Sequence, residues 1–174
     1  MILFKKFFFI FIILLSVDNL KAEDKVVYLD VDYILTNTIA GKSLLDNLKK
    51  EEQLKIEKFK EKDENFRNEE KKILAKKNLI SKEEISNDMK ILKVKFQKYR
   101  QEKTKEIDEL KIKRNRNITN FLNLINPIIE KYMTDNSIYM LIDKKNVFIA
   151  NKDYDITNNL IELIDNQIKN VEIK

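Results

Sequence analysis

The sequence predicts an α+β protein: a long antiparallel helical hairpin, coiled-coil in character, projecting from a small β-strand body. Three observations predict it. The only glycine and the only proline, Gly41 and Pro127, bracket 85 residues that contain neither helix breaker. Within that interval 24 residues are Lys or Arg and 16 are Asp or Glu, and apolar residues recur at helical spacing. On either side, short apolar runs rich in Val, Ile and Tyr read as strands. A single helix of that length far exceeds the globular average of about 11 residues, so the interval is expected to fold back on itself.

The chain opens with Lys5 and Lys6, the unbroken apolar run Phe7–Leu15, and the more polar stretch Ser16–Ala22. This is the layout of a secretory signal peptide, with cleavage expected after Ala22 and Glu23 as the mature N-terminus. A membrane-spanning helix needs about 20 apolar residues, and Lys5, Lys6 and Asp18 leave too few. Residues 23–41 and 127–174 are then expected to build the body, and residues 42–126 the arm.

Val26–Asp32 reads as the first strand, with Val27, Leu29 and Val31 alternating against Tyr28, Asp30 and Asp32. Asp30 and Asp32 would share one face. A catalytic carboxylate pair is conceivable there, but nothing else catalytic accompanies it, and a solvent-facing strand edge is the simpler reading. A short helical segment follows, up to a turn near Ala40–Gly41 where Gly41 can supply a positive φ.

The first arm begins at Lys42. Leu45 and Leu48 start a seam that continues only at every seventh position, with Phe59, Phe66, Ile73 and Ile80. The alternate seam positions, Lys55, Lys62, Glu69 and Lys76, are polar. A tight coiled coil requires both a and d to be apolar, so this hairpin should be thin and flexible. The tip is expected at residues 78–82, where Ser81 and Glu84 form the S-x-x-E capping box that starts a second helix. That helix carries the stripe Ile85, Met89, Leu92, Phe96 and Tyr99, which places the region from Met89 to Phe96 opposite Phe66. Ile107, Leu110, Ile118, Phe121, Leu122, Leu124 and Ile125 mark re-entry into the body, and Pro127 should bend the helix where arm meets body. Asp135-Asn-Ser137 ends it.

Ile138–Ile142 and Val147–Ala150, joined by Asp143-Lys-Lys-Asn146, read as a β-hairpin. A last helix with Leu160, Ile161, Ile164 and Ile168 on one face follows, with Thr157 as its expected N-cap. The expected core of the body and of its oligomer comprises Val27, Leu29, Val31, Tyr139, Leu141, Val147 and Ile149. It is small, and fewer than about 80 residues rarely make a self-sufficient core. With no disulfide or metal to brace it, the body is expected to oligomerise.

Composition limits the chemistry. The chain has no Cys and no His, so disulfide scaffolds, zinc and haem sites and nucleophile–His pairs fall away, and no cofactor is expected. No phosphate-binding loop or nucleophile motif is present, so the chain does not read as an enzyme. Charge is segregated: residues 42–126 carry net +8, residues 23–41 net −3 and residues 127–174 net −2. A basic projection on an acidic body suits acidic polypeptides, polyanions or anionic lipid surfaces. Export and the absence of Trp argue against a dedicated nucleic-acid surface.

The layout resembles the Skp/OmpH family of periplasmic chaperones. The resemblance is carried by Val27-Tyr-Leu-Asp-Val-Asp32 through Ala40-Gly41-Lys42, by Tyr139-Met-Leu-Ile-Asp143-Lys-Lys-Asn146-Val-Phe-Ile-Ala150, by Tyr154-Asp-Ile-Thr157, and by Pro127 in Asn126-Pro-Ile-Ile-Glu130. It implies a homotrimer whose β parts share a central barrel, with three hairpins around a cavity. It also implies an ATP-independent function: holding unfolded outer-membrane β-barrel proteins soluble in the periplasm. On that reading Lys76, Lys77 and Lys82 form a client- or anionic-lipid-facing tip, and Phe59, Phe66, Phe96 and Tyr99 contribute client contacts. The spacing of those four aromatics favours packing within the hairpin. The alternative is an exported coiled-coil adapter with no unfolded client.

Overall fold

The computed structural model describes residues 25–169, so the expected signal peptide lies outside the described residues. Strand β1 (Lys25–Leu29) leads into helix α1 (Val31–Asn37), and the first arm is helix α2 (Ile39–Ala75). After a 3₁₀ turn at Lys76–Asn78, helix α3 (Lys82–Asp135) forms the second arm and re-enters the body. Strand β2 (Ile138–Asp143), two 3₁₀ turns and helix α4 (Thr157–Gln167) complete it. At 1.5 Å per residue, α2 is about 55 Å long and α3 about 80 Å.

The body departs from the expected strand pattern in three places. First, β1 stops at Leu29, and Val31 is the first residue of α1. Asp30 ends the strand because its carboxylate caps the helix, Oδ1 accepting from the Tyr33 N–H at 2.9 Å. Asp30 and Asp32 therefore do not form a carboxylate pair on a strand face. Second, no β-hairpin forms at residues 138–150. β2 pairs in parallel with β1, with Val27 opposite Leu141 and Tyr28 opposite Ile142. Asp143 to Asn146 winds into a 3₁₀ turn, started by the Asp143 carboxylate accepting from the Lys145 N–H, and Val147–Ala150 is not a strand. Parallel strands need a long crossover, and here the whole arm supplies it. Third, Thr157 is the first residue of α4 and Ile156 its cap position. The Thr157 N–H and hydroxyl donate to Asp155 Oδ1, while its oxygen accepts from the Asp30 N–H at 2.9 Å. Together with the Ile156 N–H on the Tyr28 carbonyl at 3.0 Å, these bonds tie the C-terminal helix to β1.

Gly41 does not adopt a positive φ. The turn lies at Thr38, and Gly41 sits buried in the first turn of α2, where an added Cβ would fall 2.1 Å from the Leu35 carbonyl oxygen. Its role is close approach: α1 and α2 meet backbone to backbone across it. Thr38 holds the corner, its hydroxyl donating to the Ile34 carbonyl at 2.9 Å and accepting from the Gly41 N–H at 3.1 Å.

The core joins Val27 and Leu29 of β1, Ile34 of α1, Ala40, Leu44 and Leu48 of α2, Phe121, Ile125 and Ile128 of α3, and Leu160 and Ile164 of α4. Leu44 rather than Leu45 starts the buried seam; Leu45 only borders it. α3 runs continuously through Pro127 and ends at Asn136, with Ser137 in the left-handed region at φ 52°.

Candidate functional site

The hairpin is built in two halves. The half nearer the body is stitched by ion pairs between the arms: Glu51 with Lys113 at 2.9 Å, Lys55 with Glu106, and Asp63 with Lys103 at 2.8 Å. Along α2 the signs run acid, base, acid, and along α3 the partners complement them. Sliding one arm by a turn would bring like charges together. Each side chain remains about a third exposed, so each pair stabilises by at most about 1 kcal/mol, and the larger effect is on register. The hydrogen bond from Lys103 holds the Asp63 carboxyl below its usual range, and the bond from Lys55 does the same to Glu106; both lysines are raised in return. Lys55 is one of the polar residues that interrupts the apolar seam, so the interruption is itself a bond between arms.

Between the halves lies an aromatic knot. Phe59 and Tyr99 are buried between the helices, and the Tyr99 hydroxyl donates to the Phe59 carbonyl at 3.1 Å. Burial raises the phenol's pKa. Phe66 lies 5.3 Å from Phe96 edge-on and 5.2 Å from Tyr99, centroid to centroid. Lys103 lies over both Phe59 and Tyr99, and Arg100 over Phe96. Alongside the knot, and reaching past it toward the tip, runs a groove of about 870 Å³, whose apolar lining includes Phe66, Met89, Leu92 and Phe96 and whose basic lining includes Lys93 and Arg100.

The expected site residues therefore separate. Phe59 and Tyr99 are packing residues with no accessible face, whereas Phe96, 38% exposed, and the half-buried Phe66 line the groove. Lys76, Lys77 and Lys82 are all exposed at the tip, where Ser81 and Glu84 make the capping box in both directions. Leu79, 83% exposed between these lysines, escaped the sequence reading because it falls off the seven-residue seam that its neighbour Ile80 ends.

On the body, Val27 and Leu29 are buried, while Val31, Leu141 and Val147 are partly so. Tyr139 and Ile149 are exposed and form no part of the core of the single chain; with Phe148, whose side chain is fully exposed, they give the β end an open apolar surface. Among the described residues no cluster could hold a metal ion, and no helix is long and apolar enough to cross a membrane.

Comparison with solved structures finds the same arrangement in a chain from Caulobacter crescentus CB15 described as an OmpH-like outer membrane chaperone. That chain is 20% identical, the match covers 84% of this chain and 87% of that one, and the TM-score is 0.77. No curated protein matches the sequence. The family model "Outer membrane protein (OmpH-like)" matches residues 25–164, nearly the whole of the described structure. With both arms and the body inside that match, the chain belongs to the OmpH-like outer membrane protein family.

Proposed function

We propose that this protein is an ATP-independent holdase of the periplasm, exported by the signal peptide at residues 1–22, that binds unfolded outer-membrane β-barrel proteins and keeps them soluble for assembly. The observation that carries the reading is the division of the molecule into a small body and a basic, two-helix arm with an apolar-floored groove. Such an arm offers charge and apolar surface to a chain that has neither a fold nor a fixed sequence, and it attracts acidic clients over about a Debye length. Binding of this kind needs no catalytic centre.

The body assembles, in this reading, as a homotrimer. A two-stranded sheet is marginal alone, and Tyr139, Phe148 and Ile149 supply apolar surface that a second and third copy would cover. The tip, with Lys76, Lys77, Lys82 and Leu79, suits contact with an anionic membrane surface, the cations attracting headgroups while Leu79 inserts.

The test is light scattering of a urea-unfolded β-barrel protein diluted into buffer with residues 23–174. A holdase suppresses the scattering without nucleotide. Unchanged aggregation in the presence of a correctly folded oligomer would leave a structural adapter as the better reading.

A further inference from the structure

The groove along the hairpin has dimensions and charge that select one kind of ligand. Its lining on α3 runs from Ser86 to Ile107, about 31 Å at 1.5 Å per residue. An extended chain rises about 3.3 Å per residue, so the α3 wall of the groove matches about nine residues of strand, with the α2 wall, Asp63 to Glu70, facing part of that length. A membrane-spanning β-strand has about 9–11. The groove floor is apolar along one line: Phe66 from α2, then Met89, Leu92 and Phe96 from α3. The rim is mostly basic, with Arg67, Lys90, Lys93 and Arg100; the carboxylate of Asp63 is already engaged by Lys103, which leaves Glu70 as the rim acid without an ion pair among the described residues. Of the ion pairs that join the arms among the described residues, Asp63–Lys103 closes the body end of the groove, and no such pair joins the arms on the tip side of it.

We propose that this groove is a docking site for a single extended client segment of about nine residues, with alternate apolar side chains on the floor and acidic side chains between them facing the basic rim. The proposal rests on the holdase reading and names the part of the client that the arm takes. Alternation is the defining pattern of a barrel strand. A strand laid along the groove places every second side chain on the same line as Phe66, Met89, Leu92 and Phe96. The acidic neighbours then approach Lys93 and Arg100 from the solvent side, where the attraction weakens with salt.

Two measurements test this together. In the first, a photo-crosslinking benzoyl-phenylalanine replaces Phe96, which lines the groove, or Val94, which is 65% exposed but does not line it. Each labelled chain is mixed with an unfolded β-barrel protein while light scattering reports whether the client stays soluble. In the second, a ten-residue peptide alternating apolar residues with Asp, and a counterpart with Lys in place of Asp, are titrated against the full mature protein. The chain has no Trp, so one Trp in each peptide reports binding. Crosslinking is expected at position 96 and not at 94. The Asp peptide is expected to bind about ten-fold more tightly, and Lys93→Glu with Arg100→Glu should erase the preference. Equal crosslinking at both positions with the client held soluble would overturn the groove while leaving the holdase reading intact. Crosslinks between copies without client would make the groove an interface between chains. A client that aggregates regardless would overturn both readings.

Discussion

Replacing Gly41 by Ala separates the structural account from a propensity argument, because the two predict opposite signs. Gly41 is helical and has no positive φ. Helix propensity alone therefore expects Gly→Ala to stabilise by about 1 kcal/mol. The structure places the new methyl 2.1 Å from Leu35 O, 2.7 Å from Thr38 Oγ1 and 2.9 Å from the Leu35 carbonyl carbon, against an ordinary contact of 3.4 Å or more. A shift of about 1.3 Å is needed, and the nearest obstacle is backbone rather than a rotatable side chain. Overpacking of this kind costs about 3 kcal/mol. Moving α1 from α2 also disturbs the Thr38 cap, worth about 1 kcal/mol. After the propensity gain, the net loss is about 3 kcal/mol, or a fall in Tm of about 9 °C for a chain of this size. Urea and thermal unfolding followed by far-ultraviolet circular dichroism measure it. An unchanged or raised Tm for Gly41→Ala would refute the close-approach role.

Further expectations rest on the other contacts. Phe121 is fully buried where α3 enters the body, so Phe121→Ala should cost about 3–5 kcal/mol in urea unfolding. Tyr99→Phe removes the hydroxyl's bond to the Phe59 carbonyl and should cost about 1 kcal/mol; a larger loss would mean the hydroxyl holds more than that carbonyl. Ser81→Ala breaks the capping box at the tip and should cost about 1 kcal/mol, read as faster amide exchange over residues 82–86. Asp63 has its folded pKa lowered by Lys103, so its pairing contributes fully above the unfolded carboxylate value of about 3.9 and is lost as pH falls through the lower folded value. Stability measured from pH 6 down to pH 2 should therefore show an acid-side loss that is smaller in Asp63→Asn; parallel curves would contradict the linkage.

The arms were legible because helices and their ends are local. The absence of Gly and Pro between residues 41 and 127, the capping box at Ser81–Glu84 and the recurring aromatics fixed two helices, the tip and the approach of Phe66 to Phe96. The ion pairs between arms were not legible: Lys55 and Glu106, or Asp63 and Lys103, stand among many charges, and only the fold selects which ones meet. The body was misread where pairing is long-range. Val147–Ala150 has the composition of a strand and lies a turn away from Ile138–Ile142, so a local hairpin was the natural expectation. The partner of β2 is instead β1, more than a hundred residues earlier, and no local pattern carries that information. Gly41 and Thr157 were misread for a related reason: each was assigned a role from its own segment, whereas Gly41 answers to Leu35 and Thr157 to Asp30. Tyr139 and Ile149 have core-like residue types, yet a single chain leaves them in solvent.

Native mass spectrometry of residues 23–174 mixed with an unfolded β-barrel protein, without nucleotide, reads both the assembly of this chain and its hold on a client. A trimeric holdase gives a complex of three copies of this chain with one soluble client, and free protein that is itself trimeric. A chain that remains monomeric, or a trimer that never acquires client mass while the barrel protein precipitates, would contradict it.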